Sequence, residues 1–457
     1  MEHEITNSML ILKDPIAVDN SIESYEIKSA LPLNKSIYNT QGQTIEINVE
    51  AIDGYYRPSK SFIQFDGYLA RKDNNERYAQ DVQIALINNA MMYLFTSIEY
   101  SLGEKIIETL SYPGQVTSIL GYLNYSDDFN TSAGLKQCWS KDTTNNAISA
   151  KYNRSAAIPA DGHTTPEENP RYNHGFATRR ALLMKGNDNT RGNFSFIIPF
   201  DHIFGFHEYD KVIYNMKQTL KFTRAIDDFA IHKGEGVTDG KVTLTEITWC
   251  IPEVRPSVES KVQLMKEVDE KEKYPLYFTG RNDQHTTLPT DVQNFDWTLS
   301  VSGGVEKPRW IIVGFQTAKN TNQTENPAVF NHLNVERAYA DLNGSHYPRD
   351  DVIVNFSNNQ YSRYYQMIDD FKKEYHEINN LIGGCQINLE TYKDLYPLII
   401  FDVRYQNETL KSQVLATRLK FYFREGVPAN TEAFAVILSD RKFKIDSDGI
   451  KMKMLSY

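Results

Sequence analysis

Short stretches of alternating apolar and polar residues recur along the chain. The pattern is plainest at 418–424, where Leu419, Phe421 and Phe423 alternate with charged side chains, as in a strand with one buried face. Between 360 and 381 the apolar residues instead recur at helical spacing and predict an amphipathic helix. Many short strands separated by Gly, Pro and Asn turns, with few helices, indicate β-sandwiches.

The predicted elements occur twice, in the same order. Each half has a proline-led apolar strand, a hairpin around a glycine turn, a helix, a doubly apolar strand, a Leu-Lys-Phe strand and a closing strand. The paired segments are 57–70 and 307–318, 97–107 and 335–347, 116–123 and 360–381, 196–200 and 398–401, 220–222 and 419–421, and 242–250 and 434–438. This repeat predicts two similar β-sandwiches in tandem.

Two prolines, Pro252 and Pro256, interrupt the pattern and indicate a joint between the halves. The charged stretch that follows, 257–273, predicts a short linking helix. We therefore divide the chain into an N-terminal arm (1–18), a first sandwich (19–256), a linker (257–290) and a second sandwich (291–457).

The halves differ mainly in a polar stretch at 126–192, rich in Asn, Thr, Ser, Gly and Asp. A structureless loop of this length is uncommon in a compact domain unless it has a role. We expect a long loop insertion that forms an outward tower or an intersubunit contact; a mobile surface insertion is the alternative.

The composition suits two packed cores within 457 residues, since 40% of the residues are hydrophobic and 28 are Tyr. The net charge of −10, without a basic run, argues against coating nucleic acid through a basic arm or reading its sequence. Three scattered cysteines suit a reducing compartment. We find no secretory signal and no apolar stretch long enough for a membrane span, so we expect synthesis inside a cell without secretion.

No phosphate-binding loop, nucleophile elbow or zinc-protease motif occurs. His202 and His207 lie near two carboxylates, but their spacing fits no common metal site, and a turn with inward-packed Phe204 and Phe206 is the favoured interpretation. Cys138 lies in the polar stretch, where it could be exposed, and is treated as inert. We therefore predict no catalytic, cofactor-binding or metal-binding residue.

Carbohydrate chemistry is the main alternative, because β-sandwich glycosidases use two carboxyls and sugars stack on tryptophan. Adjacent carboxylates occur at 127–128, 167–168, 350–351 and 369–370, where solvated surface charge is the ordinary explanation. The chain has four tryptophans: Trp139, Trp249, Trp297 and Trp310. Three of the four fall in apolar strands and are better assigned to the core.

Several segments together resemble a known family. They are 200–224, 247–252 (ITWCIP), 307–318 (KPRWIIVGFQTA), 342–348 (LNGSHYP) and 404–412 (RYQNETLKS). These look like capsid-like proteins associated with invertebrates, which are similar to the double jelly-roll major capsid proteins of Polinton-like elements, virophages and adenoviruses. The resemblance spans about 20–446 apart from the polar stretch. The turn at 342–348 departs from the family pattern, and the insertion is longer than usual.

The resemblance implies an all-β fold of two tandem eight-stranded jelly-roll sandwiches. It also implies a homotrimer that forms a pseudo-hexagonal capsomer, neighbouring capsomers in an icosahedral shell, penton and minor capsid partners, and location in the virion. A vertex protein, disfavoured by the two halves, and a domesticated host protein are the other possibilities. We expect intersubunit or inner-shell contacts at 1–14, 126–192 and 342–348.

Overall fold

The computed structural model describes residues 20–50, 54–152, 168–270, 273–300, 307–377, 387–406, 416–446 and 452–454. The N-terminal arm, 1–18, lies outside these residues. The strands are β1 (Ile22–Ala30), β2 (Thr44–Val49), β3 (Tyr55–Tyr56), β4 (Phe62–Arg71), β5 (Ile84–Leu86), β6 (Phe95–Leu102), β7 (Lys105–Leu110), β8 (Asn193–Pro199), β9 (Ile213–Tyr214), β10 (Gln218–Arg224), β11 (Ile231–Lys233), β12 (Gly240–Pro256), β13 (Lys273–Leu288), β14 (Asn294–Leu299), β15 (Lys307–Thr317), β16 (Val335–Leu342), β17 (Ser345–Tyr347), β18 (Ile399–Asp402), β19 (Thr417–Phe423), β20 (Thr431–Asp446) and β21 (Met452–Met454). The helices are α1 (Ala90–Tyr93), α2 (Pro113–Asn124), α3 (Asp127–Thr131), α4 (His174–Leu183), α5 (Phe200–Ile203), α6 (Val258–Asp269), α7 (Ser362–Tyr375) and α8 (Leu389–Leu395).

Two sheets form each half of the molecule, with the same strand order in both halves. In the first half, β8-β4-β12-β1 faces β2-β10-β6-β7. In the second half, β18-β15-β20-β13 faces β14-β19-β16-β17. Each half therefore has eight principal strands. The two-residue strands β3 and β9 extend the first half, β21 extends the second, and β5 and β11 form a separate two-stranded sheet. This arrangement confirms the all-β fold of two tandem jelly rolls.

Aromatic side chains join the two sheets of each sandwich. In the first, Phe65 of β4 packs against Phe222 of β10, with ring centroids 6.0 Å apart. In the second, Phe315 of β15 packs against Phe421 and Phe423 of β19 at 5.1 Å and 5.9 Å. These rings come from alternate strand positions, so the period of two in the sequence delivers them to one face.

The repeated elements predicted from the sequence are confirmed. The hairpins form as β6-β7 and β16-β17, and the two Leu-Lys-Phe tripeptides lie in β10 and β19. The two helices form as α2 and α7, with Tyr364, Ile368 and Phe371 of α7 buried. The charged linking helix forms as α6.

The linker assigned to 257–290 contains a strand. After α6, β13 pairs with β20 along its whole length, and it takes in the second sandwich the place that β1 takes in the first. The run Arg281-Asn282-Asp283-Gln284-His285 hides this strand in the sequence, because its polar side chains bind to other parts of the protein. We therefore propose α6 as the boundary between the sandwiches.

The polar stretch 126–192 is partly helical and partly buried in its described residues, 126–152 and 168–192. It contains α3 and α4, and Cys138, Trp139 and Phe176 are buried. These segments therefore pack partly into the protein, and the outward tower or intersubunit contact expected of the stretch stays a prediction. Polar composition misleads here, because the polar groups bind one another inside the molecule.

Candidate assembly surfaces

The two histidines weighed as metal ligands serve structural roles. His202 is buried: its Nδ1 lies 2.8 Å from the Tyr125 hydroxyl and its Nε2 lies 2.9 Å from Asn89 Oδ1. Burial lowers the pKa of His202 to about 3, so the ring is neutral at pH 7. His207 Nδ1 lies 2.8 Å from the Phe204 carbonyl oxygen. Among the described residues, no group of three or more His, Cys, Asp and Glu side chains could hold a metal ion.

The turn carrying these histidines packs as predicted, since Phe204 and Phe206 are fully buried. Cys138 is also buried, which raises the pKa of its thiol to about 12 and keeps it protonated. The possible exposure of Cys138 is therefore wrong, while its interpretation as inert agrees with this environment.

The features weighed for carbohydrate chemistry do not converge on a site. All four tryptophans are buried, so their rings offer no stacking platform. Among the adjacent carboxylates, Asp127 pairs with Lys141, Asp351 with Arg337, and Asp369 with Lys373. Glu167 lies outside the described residues. The described pairs are thus surface charges on separate elements.

The first sandwich covers the outer edge of β13 with two carboxylates. Glu208 accepts a hydrogen bond from the Thr279 N–H at 2.7 Å. Glu108, a buried residue of β7, accepts one from the Arg281 N–H and one from the Phe206 N–H, both at 2.8 Å. Burial raises the pKa of Glu108, against the pull of the Arg441 and Arg281 charges and the two N–H groups. Two N–H groups on the outer edge of β13 are thereby satisfied within the molecule, which blocks pairing of that part of the edge with another chain.

Two further features make this contact close. Asp283 of β13 accepts hydrogen bonds from the N–H groups of Ser111 and Tyr112, just before α2, both at 2.9 Å. Gly205 leaves no room for a side chain, because a Cβ there would lie 1.9 Å from the Thr279 carbonyl oxygen. The backbones of the two sandwiches therefore meet directly.

A second contact between the sandwiches is built around the buried carboxylate of Asp142, in the polar stretch. Asp142 accepts hydrogen bonds from Arg179 at 2.7 Å and from Asn173 and Asn326, each at 2.9 Å. The Tyr396 hydroxyl donates to the Asp142 carbonyl oxygen at 2.8 Å. Because Asn326 and Tyr396 belong to the second sandwich, the polar stretch ties the two halves together.

A polar cleft of about 550 Å³ lies between the sandwiches, next to the covered edge of β13. Its arginines already have partners within the protein. Arg404 binds Asp402 and Glu374, and Arg281 donates to the carbonyl oxygens of Asp201 and His202. Arg309 pairs with Asp440. The cleft is therefore part of the joint.

Large apolar side chains are exposed at several positions of both sandwiches. On the first sandwich, Ile22, Tyr25 and Ile27 project from β1, and Val258 begins α6 next to it. The Ser257 N–H donates to the Ser21 carbonyl oxygen at 2.9 Å, which brings the starts of β1 and α6 together. On the second sandwich, Ile353 follows the predicted contact turn 342–348, and Tyr405 follows β18.

Sequence reasoning missed the residues that join the sandwiches. Glu108 stands in an ordinary strand pattern, and Asp142 and Arg179 stand in a polar stretch, so neither context signals burial. An available signal was the repeat itself: it implies a first strand for the second sandwich, and β13 fills that place. Among the described residues, no helix combines the length and apolar character needed to cross a membrane.

Comparison with known proteins agrees with this architecture. A search of curated proteins finds no match. Among solved structures, the chain is similar to one from the Sputnik virophage, with a TM-score of 0.58, 10% identity and coverage of 99% of this chain and 92% of that chain. The mavirus major capsid protein has a TM-score of 0.53 and 9% identity, with coverage of 99% of this chain and 94% of that chain. The Faustovirus major capsid protein has a TM-score of 0.53 and 7% identity, with coverage of 98% of this chain and 93% of that chain. The family model for the double jelly roll-like domain matches residues 178–443. Because that match covers more than half of the chain, the protein belongs to the double jelly roll-like domain family.

Proposed function

We propose that this chain is a viral major capsid protein, which trimerises into pseudo-hexagonal capsomers that tile an icosahedral shell. The observation that carries the proposal is the architecture: two jelly rolls of one strand order, joined through buried polar contacts. The mavirus and Faustovirus major capsid proteins align with this architecture over nearly their whole length, which supports the same role here.

The physical character of the chain suits this role. The joint at β13 and the joint at Asp142 hold the two sandwiches in a fixed relation, as a lattice subunit requires. The 28 tyrosines supply rings that bury area while their hydroxyls keep polar partners. The net charge of −10 favours solubility of free subunits and makes assembly depend on salt concentration.

In this role the protein is a structural component of the virion and has no enzymatic activity. Its partners are two further copies in the trimer, neighbouring capsomers, and penton and minor capsid proteins. We propose no sequence-specific contact with nucleic acid. The carbohydrate-binding alternative has no supporting feature in the described residues, whose tryptophans are all buried.

The test is the mass of the purified protein by light scattering behind a sizing column, with electron microscopy of the same peak. We expect a trimer of the 52.6 kDa chain with hexagonal outlines, or larger closed shells. The matched variant is Asp142→Asn, which weakens the internal joint and should lower the yield of regular particles. A protein that stays monomeric across protein and salt concentrations, and binds glycans saturably in a screen, would overturn the proposal.

A further inference from the structure

The linking helix α6 presents an apolar face that the described residues leave largely open. None of the described side chains of α6 is buried. Val258 and Val262 are 79% and 52% exposed, and Met265 is half-buried. These three residues recur at i, i+4 and i+7, so they lie on one face of the helix.

A helix as short as α6 depends on packing for its stability. It spans the 12 residues Val258–Asp269. An isolated helix shorter than about 12–15 residues is marginal in water, and most helical stability in proteins comes from burial of an apolar face. The ends of α6 continue into β12 and β13, but its exposed middle turns receive little such burial from the described residues. The face at Val258 and Val262 therefore calls for a covering segment.

The N-terminal arm enters the fold beside the first turn of α6. The Ser257 N–H, immediately before the helix, donates to the Ser21 carbonyl oxygen at 2.9 Å. Because Asn20 is the first described residue, residues 1–19 connect to the fold at this point. A segment tethered so close to a surface has an effective concentration of the order of millimolar, without any second molecule.

The arm carries a dense apolar run at residues 9–12 (MLIL). The chain between Leu12 and Asn20 spans about 26 Å when fully extended, whereas α6 is about 18 Å long. The run can therefore reach every turn of the helix. Packing the run on the face at Val258 and Val262 would remove both apolar surfaces from water, which is favourable in proportion to the area buried.

We propose that the N-terminal arm packs onto α6 of the same chain, with residues 9–12 lying against Val258 and Val262. The apolar run and the apolar face of the helix then cover each other, and the arm is fixed at the boundary between the two sandwiches. The contact lies within one chain, so it goes beyond the proposed function and does not depend on it.

Hydrogen exchange of the α6 amides in the intact chain, followed by mass spectrometry, tests the contact. Leu10→Asp with Leu12→Asp should raise the exchange rate about tenfold or more, because burying one leucine side chain is worth at least that factor. The matched control, Thr6→Asp with Ser8→Asp, adds two carboxylates at the same spacing and should leave the rate unchanged.

A matched pair of helix variants tests the other side of the contact. Val262→Asp should abolish the difference in exchange between the intact arm and the Leu10→Asp, Leu12→Asp arm. Gln263→Asp, at the neighbouring position off the apolar face, should preserve that difference. Exchange of α6 that does not respond to the arm variant in either background would refute the proposal.

Cross-linking identifies the chain that supplies the arm. Leu10→Cys with Val262→Cys is co-assembled from isotope-labelled and unlabelled chains, treated with a short bifunctional maleimide and digested. We expect linked peptides that carry a single label, and the parent protein with its three native cysteines is the background control.

The remaining outcomes overturn the proposal and leave the proposed function standing. Linked peptides that join the two labels would place the arm on another copy. Loss of α6 protection on dilution from trimer to monomer, with the arm intact, would show that a second copy covers the helix. A trimer with hexagonal outlines in which neither cross-links nor arm-dependent protection occur would show a capsomer without this contact.

Discussion

Replacing Gly205 with alanine should break the joint at β13. An added Cβ would lie 1.9 Å from the Thr279 carbonyl oxygen and 3.0 Å from its carbonyl carbon. Because Cβ contacts below 3.0 Å essentially never occur, the backbones at Gly205 and Thr279 must separate by about 1.1 Å. The contact atom is backbone, so no side-chain rotation can relieve the overlap.

This displacement sets the magnitude of the effect. The hydrogen bonds from Thr279 and Arg281 N–H groups to Glu208 and Glu108 are 2.7 Å and 2.8 Å long, and a shift of this size along them would break both. The Arg281–Glu108 bond is buried, and a buried donor or acceptor left without a partner costs about 1–3 kcal/mol, whereas the Thr279–Glu208 bond is exposed and its loss costs less. Overpacking adds about 1–3 kcal/mol, so we expect Gly205→Ala to lower the free energy of unfolding by about 2–5 kcal/mol.

The assay is urea unfolding followed by circular dichroism, with the free energy obtained from the midpoint and slope. Gly234→Ala is the matched control, because a Cβ there would meet its nearest atom, Gln83 Cβ, at 3.3 Å. We expect the control to change stability by less than about 1 kcal/mol. A Gly205→Ala protein as stable as the control would refute the close backbone contact between the sandwiches.

Three further substitutions test the buried polar groups. Asp142→Asn removes the charge that pairs with Arg179, and both side chains are at most 1% exposed. We expect it to lower the free energy of unfolding, measured by heat or urea, by about 3–5 kcal/mol. The control Asp127→Asn, at an exposed ion pair with Lys141, should lower it by less than about 1 kcal/mol. Glu108→Gln presents an amide donor to one of two N–H donors and should cost about 1–3 kcal/mol, so an unchanged urea midpoint would contradict the assigned hydrogen bonds. The pKa of His202 is lowered to about 3 on folding, so the unfolded chain binds the extra proton and stability should fall by about 1.4 kcal/mol per pH unit as pH drops from 6.5 towards 3. His202→Gln should flatten that part of the pH–stability curve, and a curve parallel to that of the wild type would refute the assignment.

Much of each sandwich could be predicted from the sequence. Strand alternation, the two Leu-Lys-Phe tripeptides and the stripe ending in Phe371 depend on periods of two and 3.6 residues, which the local backbone geometry imposes. The order of elements in one half repeats in the other, so each half supports the assignment of its counterpart. The family resemblance rested on the same segments.

The joint between the sandwiches could not be predicted in this way. Glu108, Asp142 and Asp283 look like ordinary surface carboxylates in the sequence, and only the folded chain brings their hydrogen-bond donors to them from 31 to 184 residues away. For the same reason the sequence predicts a loop at 126–192, where α3 and α4 form, and a linker where β13 forms.

The sequence by itself therefore determined the two jelly rolls, because alternation and turn chemistry act between near neighbours in the chain. Only the tertiary structure decided which polar residues are buried and which strand edge the other sandwich covers. Burial of a charge depends on partners that are distant in sequence, and the exposure of an edge depends on what the rest of the molecule covers. The hydrogen bonds by which Glu108 and Glu208 cover part of the β13 edge are visible only at that level.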